Sequence, residues 1–106
     1  MSNPTIQPIT IIYFTQAACQ PCQVLKPHLE RLKKKYTNHI VIQEVDADAR
    51  VGQSYAERWG VQGLPTLIFV RGKQMTELHR HVGFTQGDER KIEDAIISTS
   101  SHMISA

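Results

Sequence analysis

The chain alternates short apolar segments with stretches in which apolar residues recur every three or four positions. Residues 9–14, Ile-Thr-Ile-Ile-Tyr-Phe, are β-branched or aromatic and predict a buried strand. Similar compositions predict strands at 40–45 and 66–70. Residues 71–73, Arg-Gly-Lys, then predict a tight turn into a fourth strand at roughly 74–82.

Helical spacing predicts three helices between and after these strands. The first is expected to begin near Cys19 or Gln20 and to kink, without stopping, at Pro27. Gly60 is placed to end the second helix, and the third begins near Asp88. The predicted buried faces are Cys22, Leu25, Leu29, Leu32 and Tyr36 in the first helix, Val51, Tyr55 and Trp59 in the second, and Ile92, Ala95, Ile96 and Thr99 in the third.

This βαβαββα order predicts an α/β protein with a mixed four-stranded sheet and helices on both faces. We expect one domain over 1–106, with a core at about 9–99 and a frayed tail at 100–106. The first three strands are joined by helices and are therefore expected to run parallel through right-handed crossovers. The final hairpin adds an antiparallel fourth strand.

Composition and charge exclude several classes of protein. A chain of 106 residues that is 41% hydrophobic suits one packed domain rather than a disordered chain. The net charge of +2 is too small to indicate a nucleic-acid or anionic-membrane partner. No apolar run approaches the roughly 20 residues of a membrane span, and the first ten residues lack a secretory pattern. We therefore expect a cytoplasmic protein; a periplasmic or secreted origin stays open only if the sequence begins after a processed leader. A monomer is expected as well.

The chain has two cysteines, in the motif Cys19-Gln20-Pro21-Cys22. A disulfide across two residues closes a very short loop, so it constrains the unfolded chain little and stabilises the fold little. A chemical role in a normally reduced compartment therefore fits the pair better than a structural one.

The motif lies directly after a strand and at a helix start, and this position gives the two thiols different environments. Unpaired N–H groups at a helix start favour a thiolate, so we expect a lowered pKa and a nucleophilic role for Cys19. Cys22 lies on the apolar stripe of the helix and is expected to be buried. The pair predicts thiol–disulfide exchange, in which Cys19 attacks and Cys22 resolves the mixed disulfide.

Two other classes of function stay open at this point. A metal or iron–sulfur carrier would use the two cysteines across a dimer, but zinc usually needs four ligands. There is no second CxxC, and the nearest histidine, His28, is expected on the helix surface, so we assign no metal site. A docking module whose cysteines no longer turn over is the second alternative.

Taken together, the motifs resemble the thioredoxin family over about residues 9–99. The resemblance rests on the CQPC motif after a buried strand, Pro27 in the following helix, Val-Asp-Ala-Asp at 45–48, and Trp-Gly-Val-Gln-Gly-Leu-Pro-Thr at 59–66. It implies a thioredoxin-like fold and a protein-disulfide reductase that cycles between a dithiol and a disulfide without a cofactor. It further implies protein disulfides as substrates and a separate, unidentified reductase as electron donor.

The same resemblance implies a docking groove around the cysteines. Pro65 matches the family's cis-proline that faces the pair, which would turn the backbone of Leu64 outward to an extended substrate. The groove implied by the family comprises Ala18, Gln20, Pro21, Gly63, Leu64, Pro65 and Gly83.

Four positions depart from the family pattern. Ala18 replaces a tryptophan, Gln20 a glycine, Tyr13 a buried aspartate and Glu44 the lysine that pairs with that aspartate. As a hypothesis, Glu44 accepts the proton of the second cysteine, because its alternation within 40–45 could place it in an apolar layer and raise its pKa. The alternative is a solvated carboxylate at a strand end.

Two features resemble glutaredoxins instead. The chain starts at the first core strand, and a polar residue followed by Pro21 separates the cysteines. A glutathione-dependent reductase is therefore a further alternative, although no separate clamp for the glutathione carboxylate is evident and residues 59–66 favour thioredoxin.

Overall fold

The computed structural model describes the backbone of residues 8–104 and the side chains up to residue 100. The predicted order of elements is confirmed. The fourth strand begins at Thr76, two residues later than expected, and the last helix continues to Ile104, so the expected tail begins as helix. The last two residues of that tail lie outside the described residues. The elements are β1 (Ile9–Thr15), α1 (Gln20–Lys35), β2 (Ile40–Asp46), α2 (Arg50–Arg58), β3 (Thr66–Arg71), β4 (Thr76–Val82) and α3 (Asp88–Ile104).

The four strands form one mixed sheet in the order β2-β1-β3-β4. β1 and β2 are parallel, with Ile9 opposite Ile40. β3 is antiparallel to β1, with Phe14 opposite Thr66, so the expectation of three parallel strands is wrong. The nine residues of α2 span about 13 Å, whereas the seven residues of β1 span about 23 Å. Helix α2 is too short to return the chain to the end of the sheet where β1 begins, so β3 starts at the end where β1 finishes.

Helices cover both faces of this sheet, as predicted. On one face, Ile11 and Tyr13 of β1 pack with Leu25 of α1 and Ile92 of α3. On the other face, Ile12 and Phe14 form a second cluster against which the aromatic side chains of Tyr55 and Trp59 pack. No helix in the described range 8–104 is long and apolar enough to cross a membrane.

The apolar faces of α1 and α3 are confirmed, whereas that of α2 differs. The α1 stripe is buried from Cys22 to Leu32, Tyr36 is its half-buried C-cap, and the helix continues through Pro27. Val51 is 81% exposed, so its assignment to the core is wrong. Gly52 is the buried residue instead, and a Cβ there would overlap the backbone oxygen of Asp46. Glycine at this position lets α2 lie directly against the end of β2.

A reciprocal pair of hydrogen bonds starts α3. The N–H of Thr85 donates to the Asp88 carboxylate at 3.0 Å, and the N–H of Asp88 donates to the Thr85 carbonyl at 3.0 Å. His81 of β4 lies 3.2 Å from the same carboxylate. These contacts fix the segment between β4 and α3. The N–H of Thr85, followed by the imidazole of His81, holds the pKa of Asp88 below its usual value.

Asp88→Asn should therefore lower stability in a pH-dependent way. A carboxyl whose pKa is lowered in the folded state stabilises above its ordinary pKa, and loses that contribution as the pH falls through the lowered value. The difference in unfolding free energy between wild type and variant should be largest near neutral pH and shrink below about pH 4. Urea unfolding at several pH values measures it. Asp94→Asn, at a carboxylate that is 65% exposed, is the control, and a gap of constant size would contradict the assignment.

Candidate active site

The two cysteines lie where the chain leaves β1 and enters α1. Cys19 is the N-cap of the helix, with extended backbone angles, and Pro21 occupies its first turn. Proline is tolerated there because its missing N–H has no partner within the helix. The predicted helix start is confirmed. The sulfur of Cys19 consequently lies among the unpaired N–H groups of α1.

Cys19 and Cys22 are joined by a disulfide, with their Cα atoms 5.2 Å apart. Cys19 is partly exposed, whereas Cys22 is completely buried, as the apolar stripe predicts. The N–H of Cys22 donates to the Cys19 sulfur at 3.2 Å. This N–H, together with the positive end of the helix dipole, would stabilise a thiolate on Cys19 after reduction.

Pro65 directly precedes β3, and Gly83 directly follows β4. The Leu64–Pro65 peptide bond is cis, as the family resemblance implies. Because β3 is antiparallel to β1, its first residue, Thr66, pairs with Phe14 at the end of β1. Pro65 therefore lies at the same end of the sheet as the end of β1, from which the chain continues to Cys19. The N–H of Gly83 donates to the Pro65 carbonyl at 2.7 Å and joins the two groove segments.

Five of the seven predicted groove residues line two concavities near the cysteines, and the assignment of the whole groove to substrate stays a prediction. Ala18, Gly63 and Leu64 line a concavity of about 480 Å³ together with Cys19. A second concavity, of about 500 Å³, follows the start of α1 and extends to α3. Its lining includes Gln20, Pro21, Val24, His28, Phe84 and Glu89.

The chain segments around the cysteines carry no charged side chain. Residues 16–25, 59–70 and 82–87 contain no Asp, Glu, Lys or Arg, although 21% of the chain is charged. Val24 and Val82 nevertheless remain 48% and 56% exposed. Hydrophobic periodicity does not indicate that these two residues belong to a site. The sequence signal that could have indicated it is the absence of charged residues from three segments that meet near the cysteines. A surface with few charges and with exposed apolar side chains is typical of protein recognition.

Tyr13, at the position where the family has an aspartate, lies on the buried side of the cysteine pair. Tyr13 is 2% exposed, and its hydroxyl donates to the Cys22 carbonyl at 2.8 Å. Burial raises the pKa of Tyr13, and the nearby Glu44 carboxylate adds to that rise. The phenol is therefore a neutral hydrogen-bond donor at physiological pH.

Glu44 pairs with Tyr13 across the strands, but it does not lie in an apolar layer. Its side chain is 48% exposed, and the carboxylate is 3.8 Å from the ammonium group of Lys26. The solvated carboxylate, given above as the alternative, is therefore what the structure has, because β2 is an edge strand of the sheet. Its role as a proton acceptor stays a prediction.

Metal binding gains no support from the described part of the chain. Within residues 8–104, no group of three or more His, Cys, Asp or Glu side chains could hold a metal ion.

The fold and this site define an α/β protein with a paired cysteine at a helix start and an adjacent cis-proline. The family model described as Thioredoxin matches residues 4–97. The chain is 42% identical over 80 residues, 74% of its length, to a thioredoxin of Borreliella burgdorferi. It is 30% identical over 67 residues, 63% of its length, to NADPH-dependent thioredoxin reductase 3 of Arabidopsis thaliana. The chain belongs to the thioredoxin family.

These matches cover 63% and 12% of the two relatives, so the chain spans less than two thirds of either. Among solved structures, the germline-specific thioredoxin Deadhead of Drosophila melanogaster has a TM-score of 0.76 at 24% identity. That match covers 87% of this chain and 81% of the other, and it shows a shared fold.

After reduction, Cys19 should react with iodoacetamide at least about tenfold faster than Cys22 at pH 7, because only Cys19 is both accessible and stabilised as a thiolate. Mass spectrometry of peptides after timed quenching measures the two rates. Guanidinium-unfolded protein is the control, in which the two rates should converge. Equal and slow rates in the folded protein would contradict a division between the thiols.

Proposed function

We propose that this protein is a thiol–disulfide oxidoreductase that reduces disulfides in other proteins. One observation carries the proposal: the partly exposed Cys19 sulfur caps a helix and accepts from the N–H of the buried Cys22, to which it is bonded. An accessible thiol with thiolate-stabilising donors and a sheltered partner within bonding distance supports a complete exchange cycle.

The cycle balances in two steps. The Cys19 thiolate attacks one sulfur of a substrate disulfide, forms a mixed disulfide and displaces the other substrate sulfur as a thiolate, which takes a proton from water. The Cys22 thiol loses its proton and attacks the Cys19 sulfur. This forms the Cys19–Cys22 disulfide and releases the second substrate thiolate. The substrate gains two electrons from the cysteine pair and two protons, one from water at the first step and one at the second, when the Cys22 proton passes to solvent and the released thiolate is protonated. The proton of Cys19 was lost to solvent when its thiolate formed.

Protein disulfides are the substrate class that the surface supports. The uncharged segments around Cys19 favour contact with apolar, locally extended protein segments. Backbone groups beside the Leu64–Pro65 bond would pair with such a segment. The groove proposed for this contact comprises Ala18, Gln20, Pro21, Gly63, Leu64, Pro65 and Gly83.

We further propose a separate reductase as electron donor. Part of this chain resembles a protein named as an NADPH-dependent thioredoxin reductase, which supports a reductase linked to NADPH. A monomer in the reducing environment of the cytoplasm, taking part in electron transport and redox homeostasis, is the setting in which such a dithiol would act as a reductant.

Purified protein should accelerate the reduction of insulin by dithiothreitol. Cys19→Ser should abolish the acceleration, because no attacking sulfur remains, and Cys22→Ser should accumulate a mixed disulfide with the substrate. Insulin turbidity and non-reducing mass spectrometry measure these outcomes. Ser54→Ala, at an exposed position of α2, is the control.

A wild-type protein without activity, or one that is active only with glutathione, would overturn the proposal. Activity only with glutathione would favour the glutaredoxin-like alternative. Stoichiometric zinc or an iron–sulfur absorption band in the purified sample would favour the metal carrier. Activity retained by Cys19→Ser would assign catalysis to another group.

Glu44→Gln tests the proposed proton acceptor. The carboxylate lines a small cleft with Tyr13 and Lys26. Tyr13 contacts the Cys22 carbonyl, so water between the cleft and Cys22 would have to carry the proton to Glu44. Its removal should slow resolution of a preformed mixed disulfide by about tenfold or more. Glu30→Gln, on the same cleft, is the control. Stopped-flow measurement of thiol release gives the rate, and a normal rate in the Glu44 variant would exclude the role.

A further inference from the structure

One buried hydrogen bond ties the central strand to the turn that carries the disulfide. The Tyr13 hydroxyl donates to the Cys22 carbonyl at 2.8 Å, and the ring packs among the buried apolar residues of α1. β1 is paired on both sides, with β2 and with β3. Tyr13 is therefore a fixed point relative to the rest of the sheet.

The two peptide groups of Cys22 connect this fixed point to the reactive sulfur. The carbonyl accepts from Tyr13, and the N–H donates to the Cys19 sulfur at 3.2 Å. The next carbonyl along the helix, that of Gln23, has no N–H to accept from at Pro27. The helical ladder thus lacks one bond directly after the first turn of α1, and the Tyr13 hydroxyl supplies a restraint on Cys22 from outside the helix.

We propose that the Tyr13 hydroxyl is a positioning group for the redox pair: it holds the backbone of Cys22 so that the Cys22 N–H stays aimed at the Cys19 sulfur. The consequence is greater stability of the Cys19 thiolate, because a hydrogen bond to a charged sulfur is stronger than one to a disulfide sulfur. The inference rests on the proposed function, since only a pair that is reduced and reoxidised depends on that thiolate.

A phenol is suited to this role. Burial raises the pKa of Tyr13, so the hydroxyl stays protonated over the range in which thiols ionise. A hydroxyl that stays protonated can donate in either redox state of the pair, and in this role it exchanges no proton with Cys22. Tyr13 acts through the Cys22 peptide and does not touch the reacting sulfur in the described contacts.

Tyr13→Phe keeps the ring and removes the hydroxyl. Alkylation of Cys19 at pH 7 should become about fivefold slower, the factor that one hydrogen bond of ordinary net strength supports. The equilibrium with glutathione should shift toward the Cys19–Cys22 disulfide by a similar factor, because the dithiol form loses the stabilised thiolate. Timed alkylation and quantification of the oxidised fraction measure the two effects.

Tyr36→Phe is the matched control. It removes a 2.6 Å hydrogen bond from the Tyr36 hydroxyl to Glu93, at the opposite end of α1. A purely structural contribution of Tyr13 predicts that both variants lose stability and that neither, or both alike, change in alkylation rate. Positioning predicts a change in alkylation only for Tyr13→Phe. Unchanged alkylation in that variant, or equal changes in both, overturns the inference.

A second measurement decides the case in which Tyr13→Phe fails to fold. In a chain carrying Tyr36→Phe and Tyr55→Phe, 3-fluorotyrosine labels position 13 alone, and its more acidic phenol is a stronger donor. Cys19 alkylation should then be faster than in the unlabelled double variant, and an unchanged rate would overturn the inference. A wild type that does not reduce insulin refutes the proposed function, whereas an active wild type with unaffected variants refutes only the role of Tyr13.

Discussion

The contact between the N–H of Cys22 and the sulfur of Cys19 depends on most of the structure around it. It exists because α1 begins at Cys19, where the helix has donors without internal partners. The helix is held against the sheet by its buried stripe, from Cys22 to Leu32. The partner thiol is consequently buried while the capping sulfur is accessible. Two chemically identical side chains acquire different environments from a separation of three residues.

The position of Pro65 relative to Cys19 depends on the direction of β3, which is antiparallel to β1. Had β3 run parallel to β1, Pro65 would lie at the opposite end of the strands from Cys19. The antiparallel pairing of Phe14 with Thr66 brings it to the same end. The bond from Gly83 to Pro65 then adds the end of β4 to that surface. The short helix α2 and the segment that follows it are therefore responsible for assembling the groove.

Predictions from local pattern succeeded where the pattern reflects burial along one element. The stripe of α1, the faces of α3 and the hairpin after β3 are all confirmed. Alternation within 40–45 suggested an apolar layer for Glu44 but could not show that β2 is an edge strand, where a carboxylate remains in contact with water. Likewise, spacing favoured Val51 as a core residue, whereas the close approach of α2 to β2 requires Gly52 at the interface.

The sequence by itself determined the family, the order of the elements and the pair of thiols with unequal burial. These follow from hydrophobic periodicity, helix-start chemistry and the CQPC and Leu-Pro-Thr motifs, all of which act over a few residues. Only the tertiary structure decided the direction of β3, the exposure of Glu44 and the hydrogen bond from Tyr13 to Cys22. Each of these depends on which distant segments become neighbours, and no local pattern of side chains specifies that.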